Sequence, residues 1–268
     1  MNLRKKTCKM IPFFLLGAVL LTGGCAASES KSGTLTVGVR DDIMNFSYLN
    51  ENTGKYYGLE IDIAYELADR LGYRNVEFVT VTPDNRKDTL LNGDVDCLIA
   101  TYSIAESREE NFDFSEPYYT DDTVIMVEKS TLFETIEDLQ DKTIGIVSGS
   151  NAGPLLANKL YELGMITDKV ISNTDTETLY EGASVTKVPA YRELSVLLEE
   201  GQVDAVCMDA CIAGTYMNED REFLDVSIAK QEYGVATQKD SQLSQPVADA
   251  IQAMLDDGTI EQYIDKWD

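Results

Sequence analysis

One order of strand and helix signals runs through the chain twice, and an alternation of that kind folds as layered α/β structure. Residues 34–39 (TLTVGV) read as a strand. Residues 58–71 (GLEIDIAYELADRL) read as a helix, because Ile63, Leu67 and Leu71 recur at four-residue steps with Ala64 and Ala68 alongside. A second strand is expected at 76–81 and a helix from Asn85 to Asn92, closed by Gly93. VDCLIA at 95–100 is a nearly all-apolar strand of the type covered on both faces of a parallel sheet. The order then restarts. TIGIVS at 143–148 is a strand, 152–163 a helix ended by Gly164, 191–200 a helix ended by Gly201, and VDAVCM at 203–208 another buried strand. Two doubly wound α/β lobes of about 110 to 120 residues each are expected, with ligands received beyond the carboxyl ends of the strands.

Charge excludes one large class of partners. Lys and Arg number 22 against 47 Asp and Glu, a formal net charge of −25. A surface that repels phosphate gains nothing from counterion release, so a nucleic-acid partner is not expected. Histidine is absent, which removes His-based triads, the common zinc sites and the usual neutral-pH proton shuttle. No cofactor and no metal are expected.

The N-terminus reads as an address. Arg4, Lys5, Lys6 and Lys9 precede an apolar run from Met10 to Leu21. That run is too short to span, covering about 18 Å as a helix against a hydrocarbon core of roughly 30 Å. Leu21-Thr22-Gly23-Gly24-Cys25 resembles a bacterial lipoprotein box, although Thr22 stands where an aliphatic residue is usual. The resemblance implies a signal peptide over 1–24, removed on export, and a lipid-bearing Cys25; a plain secretory signal with an incidental Cys is the other reading. Residues 25–33 then form a tether. Removal of residues 1–24 takes away four basic and no acidic side chains, leaving 18 against 47, or −29. Three cysteines remain in the folded part, Cys97, Cys207 and Cys211. Cys97 and Cys207 lie in apolar strand patterns and read as buried, inert thiols, with a Cys207 to Cys211 bridge as the other possibility.

Several segments together carry a family resemblance. They are VGVRDDIMNFSYL at 37–49, GLEIDIAYELADRL at 58–71, NGDVDCLIATYSIAESREENFDFSEPYY at 92–119, DKTIGIVSGSNAG at 141–153, GQVDAVCMD at 201–209, QEYGVAT at 231–237 and the closing DDGTIEQYIDKW. In this order they resemble the bacterial extracellular solute-binding proteins of family 3, the polar amino-acid receptors of ABC importers, and most of all the glutamate/aspartate type. Ala105, where the family often has Thr, and a longer stretch at 165–185 depart from it. The resemblance implies a type II periplasmic-binding-protein fold whose two lobes are joined by a two-strand hinge. It places residues 34–121 plus 231–268 in lobe 1 and 122–230 in lobe 2.

A free amino acid carries a carboxylate and an ammonium, each needing a hydrogen-bonded partner when a cleft closes over it. Arg108 falls on the family's carboxylate-binding Arg and can offer a bidentate fork; outside the motif it would read as a surface Arg paired with Glu109 or Glu110. Ser150 and Asn151, after Gly149, sit between a strand and a helix, where backbone N–H groups can take an anion or where the two side chains act as ordinary caps. Asp209 ends the VDAVCM strand and can accept the ammonium, unless it serves as the cap of the next helix. Thr101 and Ser103 match family contact positions on a turn, where such residues are also routine. Arg40 follows the first strand and Arg86 begins the helix after Asp84 and Asn85, both on the ligand side, and they resemble the cations of acidic amino-acid receptors. Ordinary pairing with Asp41, Asp42 or Asp84 is the competing reading. Phe46 is a candidate wall against the ligand stem or a core residue.

The expected protein is therefore a monomeric, extracytoplasmic receptor, lipid-anchored to the cell membrane, that hands a polar and acidic amino acid to an ABC permease. Glutamine or another polar amino acid is the nearest alternative. A lyase on the same fold would need a Glu, Lys, Tyr or Cys211 as its acid or base. A sensor ectodomain would call for a membrane helix or signalling domain after Trp267.

Overall fold

The computed structural model describes residues 32–268. The signal expected over 1–24, Cys25 and the tether as far as residue 31 lie outside the described residues. The first lobe begins with β1 (Thr34–Val39), β2 (Asp42–Ile43), β3 (Ser47–Asn50), β4 (Lys55–Tyr57) and α1 (Leu59–Arg70). It continues through β5 (Asn75–Thr80), α2 (Arg86–Leu91), β6 (Cys97–Leu98), α3 (Glu106–Glu109) and β7 (Phe112–Phe114). The chain then enters β8 (Tyr119–Glu128), β9 (Thr143–Val147), α4 (Ala152–Glu162), β10 (Val170–Asn173), β11 (Glu177–Tyr180) and β12 (Ala183–Val188). After α5 (Tyr191–Glu199), β13 (Ala205–Asp209), α6 (Ala210–Tyr216) and β14 (Arg221–Tyr233), it closes with β15 (Ala236–Gln238), α7 (Ser244–Asp256) and α8 (Thr259–Trp267).

Two large sheets carry the lobes. In the first, five strands lie in the order β5-β1-β6-β15-β7; in the second, seven lie in the order β10-β11-β12-β9-β13-β8-β14. β1 runs parallel to β5, from Thr34 opposite Asn75 to Val39 opposite Thr80, and parallel to β6 at Val37 and Gly38. β9 runs parallel to both β12 and β13. Each sheet is thus built around βαβ crossovers, which is why Leu35, Val37 and Val39 of β1 and Ile144, Ile146 and Val147 of β9 are buried.

Side-chain periodicity explains the helices. Leu59, Ile63, Ala64, Leu67 and Ala68 of α1 are buried in one cluster with Leu35, Val37 and Val39 of β1. Leu156 and Leu160 of α4 are buried with Ile144 and Ile146 of β9. The entry to α1 demands glycine. Gly58 has φ 131°, and a Cβ there would run into the Phe46 carbonyl.

The chain crosses between the sheets twice. It leaves the first after β7 and returns from β14 to β15, so β15 lies between β6 and β7, antiparallel to both. At the crossing, β8 and β14 run antiparallel with Tyr119 opposite Tyr233 and Asp121 opposite Gln231.

Two sequence expectations change. The strand read over 95–100 is confined to Cys97–Leu98, because Thr101 turns into the left-handed region at φ 44° and the Ala100 carbonyl is taken by Arg86. The stretch at 165–185 supplies the β10-β11 hairpin, which extends the second sheet at one edge with all four residues of β10 exposed. Cys97, Cys207 and Cys211 are free thiols, so no Cys207 to Cys211 bridge forms. Among the described residues no helix is long and apolar enough to cross a membrane.

Candidate functional site

Three arginines and one aspartate from different elements converge between the two sheets. Arg40 directly follows β1 and is 3% exposed. Its Nη2 reaches the Asp42 carboxylate at 2.7–2.8 Å, and its guanidinium lies 5.4 Å from the ring centroid of Tyr191, the first residue of α5. Its Nε and Nη1 are buried and have no protein partner. Asp42 is thus the partner among the three acids considered, but the pair is not an ordinary surface pair, because the guanidinium side is out of water.

Arg86 opens α2, also 3% exposed. Its Nη1 donates to the Ala100 carbonyl at 2.8 Å and the Thr101 carbonyl at 3.3 Å, while Nη2 reaches the Gly149 carbonyl of the second lobe at 3.4 Å. The Nε is buried without a partner. Burial, with Arg108 and Arg40 adding repulsion, pushes its pKa down to about 9. Arg108, in the short α3, donates to the Ser103 carbonyl at 2.7 Å. Arg86 and Arg108 lie 4.4 and 4.3 Å from the ring centroid of Tyr102, whose π face offsets part of their lost hydration. Burial also lowers the Arg108 pKa.

Asp209 ends β13 and heads α6, yet its carboxylate makes no capping bond. It accepts instead from Gln231 Nε2 and from Thr123 Oγ1 at 3.3 Å. Burial pushes its pKa up to about 6. Ser103 donates through Oγ to Gln231 Oε1 at 2.5 Å, and Asn151 donates through Nδ2 to the same oxygen at 3.0 Å. One carboxamide therefore joins Ser103 of the first lobe to Asn151 and Asp209 of the second. Thr101 is buried in the turn that holds Arg86.

The lobes come into close backbone contact at Gly149. With φ 71° it sits against Pro83, whose carbonyl a Cβ would strike. Ser150 turns back on its own strand, its N–H and hydroxyl both donating to the Val147 carbonyl. Phe46 is the expected site residue that stands apart. It packs edge-to-face on Tyr119 at 4.9 Å and lines a cavity of about 480 Å³ with Leu59, Cys211 and Trp267. Arg40, by contrast, lines a cavity of about 700 Å³ with Arg192 and Tyr216 of the second lobe.

Residues 35–268 match the model of the bacterial extracellular solute-binding proteins, family 3. The chain belongs to that family. Among relatives of this solute-binding protein, the ABC transporter glutamine-binding protein GlnH of Bacillus subtilis (strain 168) is 28% identical over 94% of this chain and 93% of that protein. The glutamate-binding protein GluB of Corynebacterium efficiens is 26% identical over 93% of this chain and 86% of that one. An ancestral arginine-binding protein, solved bound to arginine, aligns with TM-score 0.73 and 29% identity over 88% of this chain and 98% of its own. The solute-binding fold is the two-lobed type II arrangement described above.

Sequence reading passed over Glu60, Tyr102, Tyr191 and Gln231. Glu60 lies inside the GLEIDIA segment and Gln231 begins QEYGVAT, but a polar side chain at either position adds nothing to an apolar period and so carried no signal of its own. Tyr102 alternates with Thr101 and Ser103, and only the fold reveals that two guanidinium groups stack on it.

Proposed function

We propose that this protein is the amino-acid receptor of an ABC importer and that its ligand is acidic, glutamate or aspartate. The observation that carries the reading is the pair of buried, unpartnered guanidinium edges, Arg40 Nε and Nη1 and Arg86 Nε. Buried N–H groups of a cation need an acceptor, and a side-chain carboxylate supplies two oxygens to a fork. Arg108 then takes the α-carboxylate and Asp209 the ammonium, with Ser103 and Asn151 completing the contacts; Thr101, whose carbonyl receives Arg86 and whose hydroxyl donates to the Ala100 carbonyl, and Ser150, whose N–H and hydroxyl both donate to the Val147 carbonyl, shape the turns behind them. The three guanidinium groups stand with Asp42, Asp209 and Glu60, so the opening for a side-chain carboxylate comes from the unpartnered Arg40 and Arg86 edges and not from a surplus of cations. Glutamine offers those edges one carbonyl oxygen where glutamate offers two carboxylate oxygens. Phe46 is left out of the contact set, since it packs at the other cavity.

In this reading lobe 1 comprises 34–121 plus 231–268 and lobe 2 comprises 122–230. Ligand touching both lobes favours the closed state, since only differential contact shifts such an equilibrium. Cys25 carries the lipid that keeps the receptor at the outer face of the cell membrane. Titration calorimetry against glutamate, aspartate and glutamine tests the ligand, and small-angle scattering with and without ligand tests closure. Preference for glutamine sinks the acidic assignment alone, whereas consumption of the ligand, followed by mass spectrometry, revives the lyase class.

A further inference from the structure

Glu60 stands in the first turn of α1 with no exposed surface. Its Oε1 accepts from the Thr101 N–H at 2.5 Å and from the Tyr118 hydroxyl at 2.7 Å. Its Oε2 is buried and has no protein partner. A carboxyl group so placed is costly, and burial raises its pKa.

The residue it holds is in an unusual conformation. Thr101 has φ 44°, in the left-handed region, where a β-branched side chain is crowded. The β6 ladder has ended at Leu98, so the Thr101 amide needs an acceptor from elsewhere. Glu60 is that acceptor. The turn in turn aims the site: the Ala100 and Thr101 carbonyls both receive Arg86 Nη1, and two residues on the Ser103 carbonyl receives Arg108 Nη1. Strain held by surrounding structure in this way is a recurrent means of fixing functional groups.

We propose that Glu60 is a positioning residue for ligand binding, its carboxylate pinning the left-handed turn at Thr101 so that the turn orients Arg86 and Arg108. The inference rests on the reading that those two arginines hold an amino acid. Reach rather than charge is what the role requires. Gln at position 60 still presents an oxygen to the Thr101 amide, whereas Asp retains the charge and falls one methylene short.

Calorimetry of the full chain with glutamate, aspartate and glutamine, with Tm measured alongside, tests this on Glu60→Asp, Glu60→Gln, Thr101→Gly and Glu60→Asp/Thr101→Gly. Glu60→Asp should bind at least about tenfold more weakly, since displacing a binding group by a fraction of an ångström forfeits much of its interaction. Glu60→Gln and Thr101→Gly should each lose no more than about threefold. Glycine enters the left-handed region without a clasp, so the double variant should recover most of the affinity, a non-additivity that a general loss of stability does not produce. A Glu60→Gln loss as large as that of Glu60→Asp overturns the proposal, as does an undiminished Glu60→Asp or a double variant no better than Glu60→Asp. If Glu60→Asp does not fold, the double variant decides: folded with near wild-type binding supports the proposal, and weak binding or failure to fold overturns it. Wild type that binds none of the three amino acids sinks the functional reading, a result distinct from any of these.

Discussion

Asp209 and Gln231 meet through a buried hydrogen bond, the Gln231 Nε2 donating to Asp209 Oδ1, and the other end of the same carboxamide accepts from Ser103 and Asn151. Gln231 lies on β14, where it faces Asp121 across the crossing strands. A single side chain thus engages three groups proposed to receive the amino acid. Ligand must compete for those groups while gaining the arginines.

The first prediction concerns pH. Burial holds the Asp209 pKa at about 6, above its ordinary 3.8. Native Asp209 therefore binds a proton that the unfolded chain has already lost between about pH 4 and 6, and its burial costs stability increasingly as pH rises through that window. Ligand binding has the opposite sign, because an ammonium needs the ionised carboxylate. Glutamate affinity should fall about tenfold between pH 7.5 and pH 5, and Asp209→Asn should bind weakly with that dependence abolished. Calorimetry across pH in both proteins checks it. A wild-type affinity flat from pH 5 to 7.5 removes Asp209 from the ammonium.

Arg108→Ala should weaken glutamate, aspartate and glutamine alike. Each presents the same α-carboxylate, and stranding it in a closed cleft costs about 3 to 5 kcal/mol, roughly two to three and a half decades of affinity. Loss confined to the acidic ligands in calorimetry would show that Arg108 reads the side chain instead.

Arg40→Gln and Arg86→Gln are expected to act on selectivity. Each removes a buried guanidinium edge proposed for the side-chain carboxylate, so glutamate binding should fall by at least about tenfold while glutamine binding holds or improves. The Asp42 carboxylate, now without its cation, adds to the loss in Arg40→Gln. An unchanged ratio of glutamate to glutamine affinity in both variants is incompatible with the acidic assignment.

Cys25→Ala should abolish incorporation of labelled fatty acid and leave the protein unprocessed or released from the membrane fraction. Two acyl chains supply anchoring that a single marginal chain does not. Equal labelling of variant and wild type rules out the lipid anchor at this position.

The α/β class, the positions of most strands and helices and the family were legible in the chain alone. The reason is physical: apolar positions at a period of 3.6 in 58–71 and the apolar residues of 34–39 and 143–147 are local properties, fixed by which faces must leave water. The burial of Cys97 and Cys207 was legible for the same reason. What no local pattern carries is the meeting of side chains distant in sequence. Phe46 is as apolar as a ligand wall requires, and only packing assigned it to Tyr119 and a different cavity. The strand at 95–100 was read too long because the left-handed turn at Thr101 is imposed by Glu60 from another element. Arg40, Arg86 and Arg108 were recognisable as candidates one by one. The packing of Arg40 on Tyr191 and of Arg86 and Arg108 on Tyr102, with edges of Arg40 and Arg86 left unpaired, depends on the crossing of two strands that joins the sheets, because burial and charge depend on neighbours in space rather than along the chain.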